Sequence, residues 1–236
     1  MALISSFCIF FLVAHFATPI VCIRNPINQT PALFVFSDSI FDPGNNNYIN
    51  TTTNFQANYL PYGESFFKYP TGRNSDGRLI PDFIGIFICV FPNCLKSINC
   101  GRPEHNCWLY FAAEYAKLPF IPPYFEIGKK HLVHRVKFAS GGSGCLAETA
   151  RGFVIDLQTQ LKYFQNVGKL LQKKVGETES KQILSNAVYI FSTINNDMVA
   201  PLFANSSFPY SDTEYLQMIM GNLTSVLKFL SNEKVM

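Results

Sequence analysis

The chain has 236 residues, 48% of them hydrophobic, and carries a formal charge of +3 at pH 7. That is enough apolar material for one domain of ordinary size with its own core. So dilute a charge, with no basic stripe, excludes a nucleic-acid partner as a working assumption.

Residues 2–22 stand apart from the rest. Leu3, Ile4, Phe7, Ile9 to Val13 and Phe16 make an apolar stretch that ends in Thr18-Pro19-Ile20-Val21-Cys22. The pattern reads as a secretory signal peptide over 1–22, with an N-terminal anchor helix as the competing reading. Cleavage near Cys22 predicts a secreted, extracellular chain over 23–236 with no stable membrane span, in a compartment where thiols can pair. Sequons at Asn28, Asn50, Asn205 and Asn222 agree with a secreted glycoprotein.

The short apolar run Leu33 to Phe36 predicts a buried strand of a parallel sheet. It breaks off in Ser37-Asp38-Ser39, which puts Ser39 just past the strand's carboxyl end, where ligands collect in open α/β sheets. A serine there becomes a nucleophile only if a base takes its proton and donors hold an oxyanion. Asn45 to Asn58 is polar and turn-rich and predicts a loop, as does Tyr69 to Phe83, whose Arg73 and Arg78 are placed to pair with carboxylates.

Residues 85–112 break the pattern. They hold the single tryptophan, Trp108, and Cys89, Cys94, Cys100 and Cys107 of the chain's seven cysteines. The cysteine spacings do not match zinc sites, and the apolar run Phe83 to Phe91 is too short to cross a bilayer. The preferred explanation of this atypical insert is a retained intron or gene-model error, ahead of a disulfide-stapled or metal-binding insert.

A helix is predicted from Ala113 to Lys117, followed by a basic cluster at Lys129, Lys130, His131, His134 and Arg135. With no third ligand nearby, His131 and His134 read as solvated surface and no metal site is expected. Val136 to Ala139 predicts a second strand, which runs into the glycine turn Ser140-Gly141-Gly142-Ser143-Gly144. Asp156 is the predicted N-cap of a helix to Lys174, with Leu157, Leu161, Phe164, Val167, Leu170 and Leu171 along its core-facing stripe. A short helix around Lys181 to Leu184 precedes a third strand, Ala187 to Phe191. Last, Thr213 to Leu230 predicts a helix with Leu216, Ile219, Met220, Leu223, Val226, Leu227 and Leu230 on one face. Strands alternating with helices predict a parallel α/β sheet with right-handed crossovers.

Four blocks in order carry a resemblance: Phe36 to Asn47, Tyr69 to Asp82, Phe138 to Gly144, and Asn195-Asn196-Asp197. Together they resemble the plant secreted GDSL esterase/lipase family, a branch of the SGNH hydrolases, from about Pro31 onward. The resemblance implies a three-layer α/β/α, flavodoxin-like fold, incomplete at the C-terminus, and hydrolysis of small-molecule or lipid esters without a metal or cofactor. It implies Ser39 as nucleophile, with the Ser39 and Gly142 amides and the Asn196 side chain as oxyanion donors. Nothing in the sequence sets the oligomeric state or the acyl specificity.

Several positions depart from that family. Its usual glycine is Ser37 here, its usual glycine and asparagine are Arg135 and Lys137, and its two glycines before Asn196 are Ile194 and Asn195. If that last turn needs a positive φ, asparagine tolerates it and isoleucine does not. The family's Asp-x-x-His block, which supplies acid and base, has no counterpart. His131 and His134 precede the second strand, and four strand residues span about 13 Å, so neither reaches Ser39. The expectation is a weak or silent esterase. The alternatives are a catalytically silent ester- or glycan-binding relative and a non-functional truncated product.

Overall fold

The computed structural model describes residues 31–90, 120–126, 134–203 and 208–235. The 1–22 segment, most of the atypical insert, the 113–117 helix and His131 lie outside the described residues.

Strand β1 (Leu33–Ser37) is the middle strand of a parallel sheet, between β2 (Arg135–Lys137) and β3 (Val188–Ser192). All five residues of β1 are buried. Successive side chains point to opposite faces, and each face meets its own core. Leu33 and Val35 pack with Phe41, Ile121, Ala139 and Val188. Phe34 and Phe36 face the other way, into a cluster with Phe138, Phe164 and Val167. The rings meet at 5.1 Å edge-on for Phe34–Phe164 and 4.9 Å stacked for Phe36–Phe191.

Helices cover both faces. On the Leu33 side lies α1 (Ile80–Val90), whose Ile84 joins that core. Gly85 of α1 stands so close to Ile121 that a Cβ there would come within 3.0 Å of the Ile121 Cδ1. On the Phe34 side lie α2 (Leu157–Val175) and α3 (Glu177–Ser185). There follow α4 (Asn195–Phe203), directly after β3, and α5 (Asp212–Val235), which joins the same core through Tyr215, Ile219, Val226 and Leu230. No described helix is long and apolar enough to cross a membrane. The result is an α/β fold with a parallel sheet between helical layers.

The predicted strands each occur, shifted by one or two residues. The second is shorter than Val136 to Ala139, although Phe138 and Ser140 still donate to the Val35 and Ser37 carbonyls at 2.8 and 3.0 Å. Asp156 caps α2 as predicted, its carboxylate accepting from the amides of Gln158 and Thr159. Leu170, placed on the buried stripe from sequence, is 44% exposed, because it lies one position before the core-facing Leu171.

The last helix shows a larger correction. Leu216, Met220 and Leu227 do not share the buried face: they are 45%, 52% and 44% exposed. Helices α2 and α3 contact a narrower stripe, and each of these three follows a buried residue by one position, a rotation of about 100° on a 3.6-residue turn. Tyr69 to Phe83 is also not wholly loop. The helix begins at Ile80, with Pro81 in its first turn, where the missing N–H costs nothing. It runs past the Ile84–Gly85 junction to Val90, so the start of the atypical segment continues this helix.

Asp82 ties α1 to the sheet. Its buried carboxylate accepts from Arg73 Nη2 at 2.5 Å, Lys137 Nζ at 2.7 Å and the Leu79 and Ile121 amides at 2.9 Å. Lys137, where the resembled family has asparagine, therefore stands inside the protein beside a counterion. Arg73 finds a carboxylate as expected, and the Arg78 guanidinium lies over the Phe120 ring, 4.3 Å from its centre.

Candidate functional site

With the strand order β2-β1-β3, the chain leaves β1 for one side of the sheet and later returns to the other. The crevice beyond the carboxyl end of β1 is the switch point of such a sheet. Ser39, Gly142 and Asn196 each lie on a segment that follows one of these three strands.

After β1, Ser39 begins a single 3-10 turn, Ser39–Phe41, capped by the Asp38 side chain, which accepts from the Ile40 amide at 3.1 Å. Ser39 is half-buried while Asp38 is 1% exposed. The next turn is held by Asp42, whose Oδ1 accepts from the Gly44 and Asn45 amides at 2.8 and 2.9 Å. Its Oδ2 accepts from the Gly141 amide at 2.8 Å and so joins the serine loop to the glycine turn. Burial pushes the Asp42 carboxyl up to about 6, against the pull of those three donors.

After β2, Ser140 to Ser143 closes a turn, the Ser143 amide donating to the Ser140 carbonyl at 3.1 Å. Gly142 has φ +86°, a conformation that demands glycine. Asn46 reinforces the turn: its Nδ2 donates to the Gly141 carbonyl at 2.8 Å, and its Oδ1 accepts from the Ser140 hydroxyl at 2.5 Å.

After β3, Ile194 takes φ +90° and Asn195 opens α4. The strain anticipated for isoleucine in this turn is therefore present, at a typical cost of about 1–3 kcal/mol. Asn196 Nδ2 donates to the Ser143 carbonyl at 2.8 Å, and Asn195 Nδ2 donates to Asp38 Oδ2 at 3.1 Å. Asp197, 0% exposed, accepts from the Cys145 and Leu146 amides at 2.7 and 3.1 Å and from the Thr149 hydroxyl at 2.6 Å.

The three segments are thus cross-linked. The Ser37 carbonyl accepts from the Ser140 amide at 3.0 Å and the Ser143 hydroxyl at 3.2 Å, and Ser143 in turn holds Asn196. Gln160 of α2 reaches into the same knot. Its Oε1 accepts from the Ser37 amide, and its Nε2 donates to the Ser37 carbonyl, both at 3.0 Å. Sequence reasoning assigned no role to Asp42, Asn46, Asp197 or Gln160. The readable signal for Gln160 was a polar residue beside Leu161 on the core-facing side of an amphipathic helix.

Ser37 itself is 1% exposed, and its hydroxyl has no hydrogen-bond partner among the described residues. A buried, unpaired hydroxyl costs stability. Ser37→Ala is expected to raise stability by about 1 kcal/mol, read as a higher urea midpoint with an unchanged slope. A lower midpoint would refute the assignment.

The one described histidine, His134, lies in the turn before β2, where its carbonyl accepts from the Leu33 amide at 2.8 Å. That is the amino end of β1, opposite Ser39. Burial, with Lys174 and Arg135 nearby, lowers the pKa of its ring.

No family model matches the chain, and no solved structure does. Curated sequences do. The chain is 42% identical to a GDSL lipase of Tanacetum cinerariifolium over 200 residues, 85% of this chain and 46% of that protein. It is 42% identical to GDSL esterase/lipase 1 of Arabidopsis thaliana over 213 residues, covering 89% of this chain and 50% of that one. GDSL esterase/lipase 5 of the same plant shares 43% over 205 residues, 86% of this chain and 46% of that protein. The chain spans about half the length of these curated relatives. At 42–43% identity over 85–89% of its own length, the chain belongs to the plant GDSL esterase/lipase family.

Proposed function

We propose that this chain carries the nucleophile and oxyanion side of a serine ester-hydrolase site, and acts on small-molecule or lipid carboxylic esters. Ser39 Oγ attacks the ester carbonyl carbon, the carbonyl oxygen takes up the negative charge, and the Ser39 and Gly142 amides with the Asn196 side chain stabilise it. Collapse of the tetrahedral species expels the alcohol and leaves an acyl-serine, which water hydrolyses to the free acid. The observation that carries this reading is the hydrogen-bond chain from the Ser37 carbonyl through Ser143 to Asn196. It fastens the segments after β1, β2 and β3 at one end of the sheet. An amide nitrogen has two N–H groups, so the bond to the Ser143 carbonyl leaves Asn196 one to offer.

The proton on Ser39 needs a base, and none of the described residues brings an imidazole to this end of the sheet. The proposal for the described residues is therefore slow turnover, or ester binding without turnover. A secreted, extracellular location, with cleavage of residues 1–22, is proposed from the apolar leader and the sequons.

Labelling with an alkyl fluorophosphonate tests the site. Attack by Ser39 Oγ would form a serine–phosphorus bond and release fluoride. A slow adduct, mapped to Ser39 by peptide mass and absent in Ser39→Ala, is the expected result. Equal labelling of the variant, or an adduct at another residue, would overturn the assignment.

A further inference from the structure

Beside the glycine turn stand two stacked aromatic rings. A Cβ built on Gly142 would lie 2.5 Å from Phe55 Cδ1 and Cε1 and 3.2 Å from Val154 Cγ1, so the Phe55 ring and Val154 press directly on this residue. The Phe55 ring stacks on Phe153 with centroids 5.9 Å apart and planes 16° from parallel. Phe153 is 44% exposed and Ile40, next to Ser39, is 38% exposed. The position of Phe55 is not loose: its carbonyl accepts from Asn46 Nδ2 at 2.7 Å, the same amide group that holds the Gly141 carbonyl.

We infer that Phe55, Phe153 and Val154 form an apolar shelf that receives the acyl group of an ester whose carbonyl oxygen is held at Gly142, which selects esters of apolar acids over short ones. The inference rests on the proposed hydrolase site. Its physical basis is adjacency: the Phe55 ring and Val154 press on the same residue whose amide would hold the carbonyl oxygen. The acyl arm, rather than the alcohol, is the part that remains on the serine after the first step and needs holding longest. Half-exposed stacked rings present a flat apolar face to either an alkyl chain or an aryl ring.

Product acids serve as probes, because they keep the carbonyl oxygen and the acyl arm without requiring turnover. Binding of decanoate, phenylacetate and acetate would be followed by ligand-observed NMR on the intact protein. The expected result is saturable binding of decanoate, phenylacetate or both, with acetate at least tenfold weaker. Phe153→Ala is expected to weaken the apolar acids about tenfold. Leu202→Ser, which alters a side chain 80% exposed on α4, controls for adsorption to any apolar surface and is expected to change nothing. The relative strength of the first two acids tells alkyl from aryl selection. Equal binding of all three acids, no effect of Phe153→Ala, or an equal loss in Leu202→Ser would each overturn the shelf. Binding that depends on Phe153 while fluorophosphonate fails to label Ser39 would keep the shelf and overturn the nucleophile.

Discussion

Asp82→Ala is expected to destabilise the protein by about 3–5 kcal/mol, enough to unfold a large part of a domain whose stability is typically 5–15 kcal/mol. The carboxylate is the shared counterion of two buried cations, Arg73 at 6% and Lys137 at 0% exposure, and its removal leaves both without it. The Leu79 and Ile121 amides lose their acceptor as well. Lys137→Met should behave differently. It leaves one anion facing one cation and fills similar volume, so a change of less than about 1 kcal/mol at pH 7 is expected. Urea unfolding of the two variants decides the matter; similar large losses in both would show that the lysine is indispensable and the charge argument wrong.

The same triad sets a pH dependence. Burial alone would raise the Asp82 carboxyl, but Lys137 and Arg73 reverse this and hold it below the usual carboxylate range. Lys137, sharing that one anion with Arg73, is pushed by burial from 10.5 down to about 7. Between those two values the unfolded lysine holds a proton that the folded one has released, so stability rises with pH across that interval and is lost as pH falls toward 7. The urea midpoint is expected to be higher at pH 9 than at pH 7, and this rise is expected to be absent in Lys137→Met. A midpoint that falls over the same interval only in the unmutated protein would contradict the argument.

Asp197→Ala is the second large effect, at about 3 kcal/mol or more. Two backbone amides and the Thr149 hydroxyl point at this carboxylate, and each buried donor left without an acceptor costs about 1–3 kcal/mol. Asp197→Asn should rescue little, since its amide nitrogen would face donors. The loss is not only global. The residue before Asp197 is Asn196, and the segment Asp197 fastens begins at Cys145, just after the glycine turn, so Ser39 labelling is expected to slow under conditions where the variant is still folded. Thermal melting and labelling rate, measured on the same sample, separate the two effects. Labelling unchanged in a folded variant would leave Asp197 with a purely structural role.

Asp197 also explains a glycine that the sequence leaves ambiguous. A Cβ on Gly144 would fall 2.1 Å from the Asp197 Oδ1. Gly142 is required by its positive φ and Gly144 by close approach, though both sit in one glycine-rich string. Local pattern announces that a turn is there. The reason for Gly144 comes from a residue more than fifty positions away.

What the sequence by itself determined is the frame: buried runs too short for helices, helices with one apolar stripe, and small polar residues where each strand stops. Those features follow from local periodicity and turn chemistry, so β1, β2, β3 and α2 were readable to within a residue or two. The chemistry-bearing serine, glycine turn and asparagine were readable as types in order along the chain. Their fastening was not. Only the tertiary structure decided that Gln160 and Asp42 bind the segments together, that Lys137 is paired inside the protein, that Ile194 bears a positive φ, and that Leu216, Met220 and Leu227 face outward. The physical reason is that a buried polar side chain is stabilised by donors and acceptors far away in sequence, and the width of a helix's buried stripe is set by what packs against it.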